Sequence, residues 1–384
     1  MTEQVFTSAR IVLADEVIDG SVHVKDGVIN DIAPGKSSAL AAIDCGGDYL
    51  VPGLIELHTD HLETHYCPRP GVRWGMLPSI QAHDAQIAAA GITTVYDCLR
   101  CGRENYQGGY DAGEMKAMAE SLELARTQNR LRVDHRLHLR CEVSTADVLE
   151  DFYQFDEIPG VGMVSLMDHA PGQRQFTSLD SYAQYKQKRL KMSDSEFAEH
   201  IDLRVKDSKT FSDKHRRKLS EICAQRSIPM ASHDDATLSH VRESIEYGVR
   251  IAEFPTTYEA ARASHDAGLG VLMGAPNVVR GQSHSGNVAA RTLAENQCLD
   301  VLSSDYIPSS VMQAVFMLAL ELKLLSLPEA LALVSKNPAN IMGLHDRGEI
   351  AVGRRADLVQ VSQATPTDVA PIVRTVWREG RRVS

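Results

Sequence analysis

At 384 residues, with 43% hydrophobic and 24% charged side chains, the chain has an ordinary soluble composition and enough apolar material for one large α/β domain plus a smaller one. A formal net charge of −11 weighs against general nucleic-acid binding. The longest apolar run, AVFMLALELKLL from Ala314, is broken by Glu321 and Lys323 and is too short to span a bilayer, and MTEQVFTSAR lacks the charged-then-apolar pattern of a secretion signal, so a cytoplasmic protein is expected.

Residues 1–50 read as short strands and turns: VFTSARIVL, SVHVK, the Asp26-Gly27 hairpin signal and VINDIAP. Behind them LVPGLIELH reads as a buried strand, running into HTDHLETHYCPRPG. Between Glu56 and His65 this stretch holds three histidines, one aspartate and two glutamates, a crowding that suits a divalent metal. Two registers compete for it. His61 and His65 have the one-face spacing of a helical zinc site, but HLETH is not HExxH, and Pro68 and Pro70 cut any helix short. In the other register His58 and Asp60 leave a strand end on the same side, because strand side chains alternate.

From Val51 to about Gly343, eight apolar runs alternate with helix-like segments such as SIQAHDAQIAAAG: LVPGLIELH, ITTVYDCL, HRLHLRCEV, VGMVSLMDH, IPMASHDD, IAEFPTT, GVLMGAPNVV and DVLSSDY. Eight such units predict an α/β fold, a (β/α)₈ TIM-like barrel, whose catalytic groups gather at the carboxyl ends of the strands. Those ends carry His58 and Asp60, then Glu142, Asp168 with His169, His233 with Asp234 and Asp235, Glu253, and Asp305. Six of eight ends offering a ligand points to a metal centre, although any one of these carboxylates alone would read as a cap or ion-pair partner. His61, His65, His83 and His138, taken singly, read as surface or packed histidines.

Between Lys186 and Lys218, eleven Lys or Arg stand against six acids, in a connection longer than a plain barrel loop. It reads either as a helical lid over the barrel mouth or as a solvated charged helix pair. The far end, GEIAVGRRADLVQVS and IVRTVWREGRRV, is again short-stranded. A small β-sandwich domain built from residues 1–50 and 346–384 is therefore expected around a barrel of residues 51–345, with a basic helical insertion near 173–222. Seven scattered cysteines argue against a disulfide framework, and the lone CxxC, Cys98 and Cys101, reads as two partly buried thiols rather than a zinc site.

With His58, Asp60, Glu142, His233 and Asp305 in this order between two β-rich ends, the chain resembles the amidohydrolase superfamily. HTDHLETHYCPRPGVRW, AHDAQIAAAGITTVYD, SLMDHAPGQRQ, AEFPTT and PNVVRGQSHSGN resemble, over essentially the whole chain, the PhnM family of α-D-ribose 1-methylphosphonate 5-triphosphate diphosphatases of the carbon–phosphorus lyase pathway. The resemblance implies a metal-dependent hydrolase in phosphonate catabolism that cuts between the α- and β-phosphates of a phosphorylated sugar and releases pyrophosphate. It implies a divalent ion, zinc with manganese or iron as alternatives, one or two in number, on His58, Asp60, Glu142, His233 and Asp305, with Asp305 also taking the proton from water. Asp60 and Glu253 depart from the superfamily's usual histidines, which bears on the second ion. Arg69, Arg174, Arg280 and His284 lie in the family-like motifs and are the expected phosphate contacts, and a homo-oligomer without nucleic-acid or membrane partners is expected. Two rival readings are an amide or amidine hydrolase on the same scaffold, separable by release of ammonia or acetate, and a non-catalytic scaffold, separable by metal content.

Overall fold

Runs that are apolar without alternation bury both faces, and all eight expected in the middle of the chain form strands of one parallel sheet. The computed structural model describes residues 3–102, 112–174, 182, 192–283, 285–365 and 367–384. Both termini contribute to a separate sheet. It comprises β1 (Glu3–Val12), β2 (Val17–Lys25), β3 (Val28–Pro34), β4 (Ile43–Asp44) and β5 (Tyr49–Pro52) from the start, and β14 (Leu358–Ser362), β15 (Ile372–Arg378) and β16 (Arg381–Arg382) from the end. Hydrogen bonding runs through it in the order β16-β15-β14-β5-β1-β2-β3, with β4 beside β1, and Phe6, Ile11, Val22, Leu50, Leu358 and Trp377 are buried in its core. The turn between β2 and β3 has φ of 48° at Asp26 and 81° at Gly27, as a two-residue hairpin with positive φ at both centres requires.

The parallel sheet comprises β6 (Leu54–Thr59), β7 (Ile92–Cys101), β8 (Asp134–Glu142), β9 (Val161–Met167), β10 (Met230–His233), β11 (Ile251–Glu253), β12 (Gly270–Gly274) and β13 (Val301–Ser303), each strand paired with the next in sequence. Its ends meet just beyond β13: the Asp60 N–H donates to Asp305 O, and the Asp305 N–H to His58 O, both at 3.1 Å. This closes a (β/α)₈ barrel. Ile55, Leu57, Tyr96, Met163, Ala231, Ile251, Leu272 and Val301 fill it.

One expected strand proves to be two. LVPGLIELH divides at Gly53, with Tyr49–Pro52 pairing with β1 and β14 in the terminal sheet and Leu54–Thr59 pairing with β7 in the barrel. Gly53 makes the crossing possible, since a Cβ there would stand 2.3 Å from Thr93 Oγ1 and 2.9 Å from Asp357 Cβ. The insertion after β9 contains a helix of 33 residues, Asp194–Arg226, opened by a Ser193–Glu196 capping box. The expected cations at 186, 188, 189 and 191 lie outside the described residues.

Candidate metal centre

The two registers proposed for HTDHLETH coexist. β6 delivers His58 to the barrel mouth, and the chain then turns into a short helix, His61–Tyr66, that ends before Pro68. The barrel gathers strand-end side chains into contiguous groups whose ligand atoms lie within 4.8 Å of one another: His58 with Asp60 and Asp305, His58 with His233 and Glu253, and His169 with His233 and Asp234. His58, Asp60, His233 and Asp305, expected together from the sequence, are together.

Glu142 stands apart from these groups. Its Oε2 accepts from His169 Nδ1 at 2.7 Å, Ser144 donates to its other oxygen, and Arg204 of the insertion helix is 3.6 Å away. Burial opposes the charged form of Glu142, but His169 outweighs it and brings the carboxyl down to about 2. Burial likewise opposes charge on His169, and Glu142 and Asp234 raise it to about 9.

At Asp60, burial is again outweighed: Arg140 Nη1 lies 2.6 Å from both carboxylate oxygens and holds the group well below the usual range. Glu253 accepts from His58 Nδ1 at 3.1 Å and from Ser165 Oγ at 2.6 Å, and His58 and His138 bring it down to about 2 against its burial. Beneath His58, the fully enclosed Glu56 accepts the backbone N–H groups of His58 and Ser304 at 2.7 and 2.6 Å, while burial pushes it up to about 7.

Do these groups fit a metal? His233 Nδ1 lies 2.8 Å from Asp234 Oδ2, and its other ring nitrogen, Nε2, is buried without a hydrogen-bond partner. A buried polar nitrogen with no partner is costly, and His233 belongs to groups with His58 and Glu253 and with His169 and Asp234. Imidazole nitrogens mixed with carboxylates suit zinc, manganese or iron. The residues fit a divalent ion, with His233 oriented by Asp234 as metal-binding histidines usually are.

Three strand-end residues, Asp234, Phe254 and Asp305, take positive φ of 60°, 52° and 54°. Such backbone is uncommon outside glycine and clusters at functional sites. Phe254 rests edge-on against both His58 and His233, at ring separations of 4.9 and 5.3 Å.

The expected phosphate contacts divide. Arg69 and Arg280 are exposed. Arg174 is 3% exposed and its guanidinium is bound by Asp235 and Glu243, so it belongs to the wall. His284 lies outside the described residues. The insertion helix lies against the ends of β8 and β9, with Arg204 donating to Ser144 at 2.8 Å and Ser212 donating to Asp168 at 2.7 Å. Sequence reasoning overlooked Arg140 and read His138 as a surface or packed histidine. Both had a signal, because His138, Arg140 and Glu142 alternate along β8 and therefore share its inner face.

A family profile described as "Amidohydrolase family" matches residues 76–384. The alpha-D-ribose 1-methylphosphonate 5-triphosphate diphosphatase of Escherichia coli (strain K12) is 43% identical over 380 residues, covering 99% of this chain and 100% of that protein. Among solved structures, the N-acetyl-D-glucosamine-6-phosphate deacetylase of Mycobacterium smegmatis superposes with a TM-score of 0.66 at 17% identity, covering 99% of this chain and 100% of that one. The 5-methylcytosine deaminase of Klebsiella pneumoniae superposes with a TM-score of 0.65 at 14% identity, covering 99% and 98%. The two structural likenesses concern the fold alone. Full-length identity and the matched profile place this chain in the amidohydrolase family, and within it in the PhnM family.

Proposed function

We propose that the chain hydrolyses α-D-ribose 1-methylphosphonate 5-triphosphate between its α- and β-phosphates, releasing pyrophosphate and leaving the 5-phosphate. The observation that carries this reading is the 43% identity to the Escherichia coli diphosphatase over the full length of both chains. A strand-end donor set that includes His233, whose Nε2 is buried and unpartnered, supports metal dependence. We assign the ion to His58, Asp60, His233 and Asp305, with Glu253 between the two histidines and Glu142 acting through His169. Zinc is the ion we propose, with manganese or iron fitting the same donors.

A divalent cation, when bound, activates water near neutral pH and neutralises phosphoryl oxygens. The chain's own groups do the rest. The Asp305 carboxylate, beside His58 and Asp60, accepts the proton of the attacking water and later returns it. Arg140, already charged against Asp60, keeps that carboxylate ionised. A triphosphate carries about four negative charges near neutral pH, more than one or two ions cancel, so Arg69 and Arg280, with His284, are the proposed contacts for its oxygens. A homo-oligomer in the cytoplasm is the setting we infer from the family resemblance, and light scattering would measure its size.

The test is phosphorus NMR on metal-loaded protein given the ribose triphosphate or ordinary nucleoside triphosphates. Pyrophosphate in equal amount to the 5-phosphate is expected from the ribose substrate. Orthophosphate as the first product, or turnover confined to amides with release of ammonia or acetate, would overturn the reading.

A further inference from the structure

We propose a second metal site, separate from the barrel mouth, formed by His61, His65 and His83. His61 and His65 lie one turn apart on the helix His61–Tyr66, and His83 comes from the neighbouring helix Met76–Ala89. The three rings form a triangle, with centres 5.0 Å apart for His61–His65 and 6.0 Å for each to His83. Three imidazoles around one tetrahedral zinc, with nitrogens at about 2.0–2.1 Å, have ring centres roughly 5 Å apart. His83 is held in place by Asp97, so closing the two wider separations falls to rotation of His61 and His65 toward its Nδ1.

Packing alone does not account for these rings. Both nitrogens of His61, Nε2 of His65 and Nδ1 of His83 are buried and have no hydrogen-bond partner. His83 is fully buried. Its other nitrogen, Nε2, donates to Asp97 Oδ1 at 2.7 Å, and Asp97 is itself held by His135 Nδ1 at 2.6 Å. That is the carboxylate support found behind metal-binding histidines, and it leaves the lone pair of Nδ1 for a ligand. An all-imidazole set with a vacancy for water suits zinc or another borderline ion.

A metal here would clamp the two helices that flank residues 67–75, the loop carrying Arg69 and Arg73. It need not touch substrate, so the proposal stands apart from the assigned reaction.

The experiment is cobalt titration of metal-stripped full-length protein, with elemental analysis of dialysed samples. The double variant His61→Asn/His65→Gln, at two positions that are not fully enclosed, is expected to keep its far-ultraviolet dichroism and bind one equivalent fewer than the parent. His65→Cys is expected to retain that equivalent and to show a thiolate-to-cobalt charge-transfer band absent from the parent. Equal metal content in the parent and the double variant, or a His65→Cys protein with no such band at full cobalt occupancy, would overturn the site.

Discussion

Asp305 does two things at once, as its backbone joins β6 to the barrel's last strand and its carboxylate shares a group with His58 and Asp60. Asp305→Asn keeps both the size and the backbone, so the barrel should close as before while turnover falls by about 10²–10⁴-fold, the usual loss for a proton-transfer group. Steady-state kinetics would show the fall in kcat with a far smaller change in KM, and near-normal turnover would move the base elsewhere. For the triphosphate, Arg280→Ala and Arg69→Ala should each raise KM and lower kcat, with a loss of about 1.5–3 kcal/mol in kcat/KM per charged hydrogen bond. Arg174→Ala should instead lower thermal stability, because Asp235 and Glu243 lose a buried partner. A kinetic effect of Arg174→Ala without loss of stability would place the substrate on that side of the mouth.

Among the elements, the barrel and the terminal sheet are tied by charge as well as by chain. Arg347, 8% exposed, donates to Asp134 at the start of β8 at 2.6 Å and to Thr94 of β7 at 3.0 Å, while Arg355 Nη1 stands 3.8 Å from the same Asp134. Burial would raise Asp134, but Arg347 and its neighbours outweigh this and hold its pKa below the ordinary carboxylate value. A depressed carboxylate stabilises the fold above its unfolded pKa near 3.9 and loses that contribution as pH falls through the folded value. Asp134→Asn should therefore cost roughly 1–3 kcal/mol at neutral pH. Urea unfolding should find the gap from the parent narrowing below about pH 4, and a gap that persists at low pH would refute the ion-pair origin. Strands such as β9 and β12 were readable because a run buried on both faces is apolar without alternation. The break at Gly53 was not, because it depends on Thr93 and Asp357 packing against it from elsewhere in the chain. Nor did the strand-end residues announce which would pair with whom: Glu142 reads as a ligand from its position, yet His169, one strand over, occupies its carboxylate.

At the scale of the whole molecule, the proposed mouth site draws its ligands from strands all round the barrel, so an ion held there would stabilise the native state as a ligand that unfolded chain cannot hold equally well. Free metal at about a thousand times its Kd would add roughly 4 kcal/mol. Calorimetry with and without a chelator should show a lower transition in the stripped protein and recovery on adding zinc. An unchanged transition would contradict ligation across the barrel. The hydrogen bonds joining His58 and Asp60 to Asp305 carry a further implication, for the life of the protein in a cell. The first-made and last-made strands of the barrel bring the proposed mouth ligands together, so a chain still emerging from the ribosome has only half of that site. Loading is then a late step that follows synthesis. Zinc-starved cells should accumulate finished, empty enzyme, and a pulse of zinc should restore its activity with translation blocked.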